Sequence, residues 1–145
     1  MQDRSFLDTS VLLNLFDDDR PFEQAAARSL IGGPGSPTLV TSALVLANFY
    51  DQITSVFERS LEKIIARQAL VDIAELTIIQ IDSDLVFSAI ETQTVEGISM
   101  QDSLSIEAAV ISGCDRIATE SLTHGEIIKG LKIENPSKLS HQNRG

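Results

Sequence analysis

Phe6-Leu7-Asp8-Thr9-Ser10 decides how the chain is read: an apolar run suited to a buried strand delivers a carboxylate and two hydroxyls just before a helical pattern. In open α/β sheets ligands bind outside the carboxyl ends of the strands, beside helix amino termini, which makes Asp8 a candidate site residue. Asp8, Thr9 or Ser10 would equally cap the helix that begins near Val11, because side-chain oxygens of these types accept from its free N–H groups. The rest of the chain has to separate the two roles.

Outward from this stretch, Val11 to Phe16 is apolar enough for a helix packed on a sheet, and Asp17-Asp18-Asp19-Arg20 ends it. Pro21 suits the first turn of a second helix running to Leu30, and Gly32 to Pro37 reads as a loop. Thr38 to Thr41 is a second buried strand, with Ser42 placed to cap a helix over Ala43 to Ile53. Phe57 to Ala74 has helical spacing of Leu61, Ile64, Ile65 and Leu70. Arg59, Lys63 and Arg67 recur along another face of it and form the only basic stripe; they are candidate phosphate contacts, or a solvated face pairing with Glu58 and Glu62, the commoner arrangement on helices. Thr77 to Ile81 is a β-branched strand, Asp82 or Ser83 caps a helix over Asp84 to Val95, and Gly97 stops it. Ser99 opens a further helix with Asp102 in the capping-box position, and Gly113 closes it. Asp115 to Thr119 and Leu131 to Ile133 are the last strands, Glu120 to Gly125 a loop, and residues 135–145 a loose polar tail behind a single domain over 1–134. Strands alternating with helices imply a parallel sheet with helices on both faces. Asp8, the starts of the Ser42 and Ser99 helices and the Thr119-Glu120-Ser121 turn then converge at one sheet edge.

The 145 residues, 43% of them hydrophobic, suffice for one domain with a true core. A net charge of −10 argues against a general nucleic-acid or anionic-membrane binder, and 5% aromatics leave few stacking platforms for single strands. Met1-Gln2-Asp3-Arg4 lacks the layout of a secretory signal and no long apolar run exists, so a cytoplasmic protein with no membrane association is expected. Lone Cys114 reads as a small core residue, and ligands for a zinc site are missing.

Phe6 to Leu13, Thr41 to Tyr50, Ile98 to Leu104, Cys114-Asp115 and Thr119 to Gly125, followed by Gly130 to Pro136, stand in an order and spacing that resembles the PIN domain. That is the fold of many metal-dependent ribonucleases, including the VapC-type toxins of toxin–antitoxin pairs. The resemblance implies an α/β fold, a three-layer α/β/α sandwich whose central parallel sheet of about four or five strands is flanked by helices. It further implies homodimers, RNA as substrate, an antitoxin-type protein partner and a cluster of acids that binds Mg²⁺ or Mn²⁺. Carried over, the family's first acid falls on Asp8 and its third on Asp102, the implied metal-binding and catalytic pair. Its second falls on Asn48 and its fourth on Ser121, both without charge. Thr9 and Ser10 match the hydroxyl positions flanking the first acid, and Glu120 stands beside the vacated fourth place.

Hard divalent ions take oxygen ligands, usually one or two carboxylates with water completing the octahedron. A carboxylate about 5 Å from such an ion contributes roughly 6 kcal/mol gross at an effective dielectric of ~20, so loss of two acids weakens binding substantially. Asn48 and Ser121 keep neutral oxygens at those places. Glu120 would restore an acid if its loop shifted, Glu107 falls on another helix face than Asp102, and His124 before Gly125 shapes a turn. Two readings therefore stand: a PIN-like ribonuclease with a weakly held metal, and a PIN-like module without catalysis that binds RNA or a protein. A phosphotransfer fold ranks below both, because Ser10 stands where a dehalogenase-like phosphatase needs a second Asp and a receiver's paired acids and late Lys are missing.

Overall fold

The computed structural model of the chain describes residues 3–31, 35–56 and 62–142. At its centre lies β1 (Arg4–Leu7), where Phe6 and Leu7 are fully enclosed and Phe6 sits in register between Val40 and Ile117. From β1 the chain builds outward to β2 (Thr38–Ser42) and β3 (Thr77–Ile79), then crosses to the other side of β1 to lay down β4 (Arg116–Ala118). β5 (Ile127–Ile128) and β6 (Leu131–Glu134) complete the order β3-β2-β1-β4-β6-β5. The switch in strand order between β1 and β4, which run parallel, leaves a crevice at their carboxyl ends, the place where open parallel sheets bind ligands.

Helices α1 (Thr9–Asn14), α2 (Pro21–Arg28), α3 (Ala43–Asp51), α4 (Lys63–Ile73), α5 (Ser83–Glu96) and α6 (Met100–Ile111) flank the sheet. Their starts follow the capping residues: Ser42, Asp82 and Ser99 accept from the N–H groups of Val45, Leu85 and Asp102. Gly97, at a φ of 68°, closes α5 in the left-handed cap that glycine adopts without strain. α6 packs on β1, β2, β4 and β6 and against α5, so Ser103 through Ala109 are all buried. The polar groups of this buried helix need partners, and Glu107 has three contacts: Thr92 Oγ1 at 2.8 Å and Lys129 Nζ at 2.8 and 2.9 Å from its two oxygens.

Three elements differ from the sequence expectation. α3 runs on through a widened helical turn over Gln52–Val56 instead of ending near Ile53. The sheet has five parallel strands and also an antiparallel edge strand, β5, joined to β6 by Lys129-Gly130 with φ of 53° and 82°. This two-residue turn needs positive φ at both positions, which glycine meets freely and Lys129 meets while its ammonium is anchored on Glu107. The segment after 135, expected as a loose polar tail, instead forms a helix, α7 (Pro136–Gln142), packed against α2 and started by Asn135, whose side chain accepts from the Ser137 N–H. Of the Phe57 to Ala74 helix, the stretch 57–61, Arg59 included, lies outside the described residues, and α4 begins at Lys63.

Glu107 is 6% exposed, whereas the Lys129 side chain is 42% exposed. Lys129→Met is expected to destabilise the fold by about 2 kcal/mol, less than the 3–5 kcal/mol of a fully buried pair, because the ammonium is itself partly hydrated. Denaturant unfolding of the variant measures this, and an unchanged midpoint would show that the Glu107 carboxylate is solvated.

Candidate active site

Asp8 follows β1 directly, and its N–H extends the ladder by donating to the Ala118 carbonyl at 3.1 Å. It occupies the cap position of α1 but makes no side-chain capping bond. Its carboxylate turns instead into a cleft of about 230 Å³ at the β1/β4 crevice. Thr9, Ser10, Asn48, Asp102 and Ser121 line the same cleft, so six of the residues singled out by the sequence meet there. Ser99, Gln101, Ser105 and Gln52 complete its polar wall.

The hydroxyls are ordered by their single protons. Thr119 Oγ1 donates to Asp8 Oδ2 at 2.7 Å, and Ser121 Oγ donates to Asp102 Oδ1 at 2.6 Å. Thr119 Oγ1 in turn accepts from the Ser121 N–H at 3.1 Å. Ser121 Oγ is also 3.4 Å from Asp8 Oδ2, so one hydroxyl oxygen stands between the two carboxylates. The Ser105 Oγ approach to Asp8, 3.5 Å, is too long for a strong bond. Burial pushes the Asp8 carboxyl above its ordinary value, and the charge of Asp102 adds to the rise; hydrogen bonds from Thr119, the Thr9 N–H and Ser121 oppose it. Asp102 lies in the first turn of α6, where the helix dipole favours an acid.

Glu120 does not join this group. Its N–H donates to Ser10 Oγ at 3.0 Å, which keeps its main chain at the cleft rim, but its carboxylate is forked onto Arg20 at 3.1 and 3.2 Å. Lys63 and Arg67 are exposed on α4 and are not among the residues lining the cleft; no Lys or Arg is, among the described residues. Their neighbours Ile64, Ile65 and Gln68 line a separate apolar cleft of about 660 Å³. His124 Nδ1 accepts from the Asn135 N–H at 3.0 Å, the turn-shaping role expected of it.

Sequence reasoning passed over Ser105 and underweighted Thr119. Ser105 was legible as a residue one helical turn beyond Asp102 on the same face. Thr119, fully buried, stands after β4 as Asp8 stands after β1, a parallel that only the pairing of the two strands makes visible.

A model of the PIN domain matches residues 5–132. The chain belongs to the PIN domain family. Among solved structures, a toxin–antitoxin complex from Klebsiella pneumoniae superposes with a TM-score of 0.65 at 17% identity, over 91% of this chain and 97% of that one. FitAcB from Neisseria gonorrhoeae gives 0.63 at 17% identity, again over 91% and 97%. VapC20 of Mycobacterium tuberculosis, described as a sarcin–ricin loop cleaving toxin, gives 0.61 at 21% identity over 78% and 86%. These likenesses are of fold. Comparison with curated protein sequences finds no match. Among the described residues no helix is long and apolar enough to cross a membrane, and no three His, Cys, Asp or Glu gather as a metal cluster.

The chain keeps Asp8 in the crevice at a cost in stability that depends on pH. The folded state holds the Asp8 proton more tightly than the unfolded chain does, so the favourable contribution of neutral Asp8 is complete below the ordinary carboxylate range and is lost as pH rises through the raised folded value. Asp8→Asn, which cannot ionise, is therefore expected to melt at a higher temperature than the wild type at pH 7, with the difference shrinking as the pH is lowered towards 4. Melting curves across that range decide it; a variant less stable than wild type at pH 7 would show that the ionised carboxylate is well satisfied in the cleft.

Proposed function

We propose that this PIN domain is a ribonuclease that hydrolyses RNA phosphodiesters with a Mg²⁺ or Mn²⁺ ion held between Asp8 and Asp102. The observation that carries the reading is the pair of carboxylates facing one hydroxyl oxygen, Ser121 Oγ, at the sheet crevice. The donor set suits a hard cation: two carboxylates, the hydroxyl of Ser121 and the carbonyl oxygen of Asn48, with room for water in the cleft. It is too thin for an all-protein cage, so the ion would be bound weakly and largely hydrated. The chemistry such an ion supplies is polarisation of the phosphoryl oxygens and acidification of water. The chain's own part is to fix Asp8 through Thr119, to hold Asp102 at the amino end of α6, and to present the polar side chains of Ser10, Asn48 and Gln52 along the substrate's path.

An antitoxin-type protein partner belongs to the same proposal. Ile64 and Ile65 are 77% and 52% exposed beside the apolar cleft that Leu12, Leu15 and Phe16 help to line, a surface suited to an apolar segment of another chain. The Klebsiella pneumoniae structure is of a toxin–antitoxin complex, which supports this reading for a chain of the same fold.

The second reading, a PIN module that binds without cleaving, is favoured by one feature: Thr119 and Ser121 already satisfy both carboxylates by hydrogen bonds. Calorimetric titration with Mn²⁺ alongside an RNA cleavage assay separates the two. The wild type is expected to bind Mn²⁺ weakly and to cleave, Asp8→Ala to lose both, and the Asn48→Glu, Ser121→Asp double variant to bind at least about tenfold more tightly through its added carboxylates. If the wild type neither binds nor cleaves and only the double variant gains both, the non-catalytic reading holds.

A further inference from the structure

Arg20 and Glu120 form a contact whose consequence falls on the metal site. Arg20 stands just before α2, outside the cleft, and its Nη1 donates to Asn14 Oδ1 and Glu120 Oε1, both at 3.1 Å, while Nη2 donates to Glu120 Oε2 at 3.2 Å. Glu23 lies 3.6 Å from the same guanidinium. Such a fork is the geometry in which Arg holds a carboxylate most firmly, because two parallel N–H groups match two oxygens. Glu120 nonetheless stands beside the cleft by its backbone: its N–H is bonded to Ser10, which lines the cleft, and the next residue, Ser121, stands between Asp8 and Asp102. Only the side chain is turned away, and what holds it is the Arg20 fork.

The fork is also replaceable. The Arg20 side chain is 43% exposed, so water competes with Glu120 for its donors and the fork can exchange with solvent. A carboxylate is a far better ligand for a hard cation than a serine hydroxyl, so a Glu120 side chain freed from Arg20 has a stronger partner next to it whenever a divalent ion sits between Asp8 and Asp102. Resting on the metal-dependent reading above, we propose that Arg20 is a positioning residue for the metal site: by holding Glu120 outside the cleft it sets the number of carboxylates offered to a divalent cation at two, and its release supplies a third. Glu120 is then a reserve ligand, and Arg20 its keeper.

Binding of Mn²⁺ to the full chain, measured by calorimetry, reads this without reference to RNA cleavage. Arg20→Gln is expected to bind Mn²⁺ about tenfold more tightly than wild type, the effect of one added carboxylate oxygen on a water-rich site. Removing a positive charge would itself attract the ion, so the gain is tested again with Arg20→Gln combined with Glu120→Asp. That double variant keeps the charge but shortens the side chain, and its affinity is expected to return towards wild type. A gain in Arg20→Gln that Glu120→Asp abolishes supports the proposal. No gain, or an equal gain in both variants, overturns it. Thermal melting shows whether Arg20→Gln is folded; if it is not, Arg20→Lys, which keeps the charge and loses the fork, replaces it, with a smaller gain supporting the proposal and none overturning it. When the wild type binds and Arg20→Gln binds no better, the proposed function stands and only the role of Arg20 falls; when no variant binds, both fall.

Discussion

The structure turns on a carboxylate held where strand ends meet. β1 is fixed on both sides, by β2 and by β4, and the ladder continues one residue past it through the Asp8 N–H and the Ala118 carbonyl. Asp8 thus leaves the sheet at the point where the strand order switches sides, with its carboxylate half-buried and with Thr119 as its shortest hydrogen-bond partner. Enclosure of that kind raises the free energy of the charged form, and the hydroxyl and backbone donors around it recover part of the difference.

Everything else in the cleft follows from how elements arrive at this edge. α6 reaches it with its amino end, which brings Asp102 opposite Asp8 in a first turn that tolerates negative charge. α3 reaches it from β2 and contributes Asn48, and the widened turn that prolongs α3 brings Gln52 to the wall. The loop after β4 supplies both Ser121 and Glu120, but its two side chains have opposite fates: one is drawn between the acids, the other onto Arg20. Asn48 and Ser121, both uncharged, give the pair of carboxylates neutral company in the cleft.

Much of this was legible from residues in order. The strand at Phe6-Leu7, the caps at Ser42, Asp82 and Ser99, and the glycine stop at 97 are local signals, and local chemistry decides them. The choice between cap and site at Asp8 was not local, since both roles use the same atoms; the fold shows no side-chain cap on α1 from Asp8, whose carboxylate accepts instead from Thr119 beyond β4. Glu120 shows the limit most clearly. Adjacent to Ser121 in sequence, it looks like a substitute acid, but its carboxylate is paired with an arginine one hundred positions earlier. The antiparallel β5 was hidden because its turn uses Lys129 where Asn or Asp would announce a hairpin, and α7 because a polar segment becomes a helix only when it has α2 to pack on.

The central claim is that Asp8 and Asp102 form one divalent-cation site across Ser121. The most direct measurement is an anomalous-scattering map from a crystal of the protein soaked in Mn²⁺. The account predicts an anomalous peak within bonding distance of both carboxylates, about 2.0–2.4 Å from the ligating oxygens, that disappears in Asp8→Asn. A map with no peak at the β1/β4 crevice at high Mn²⁺, or with one that leaves Asp8 untouched, would contradict it.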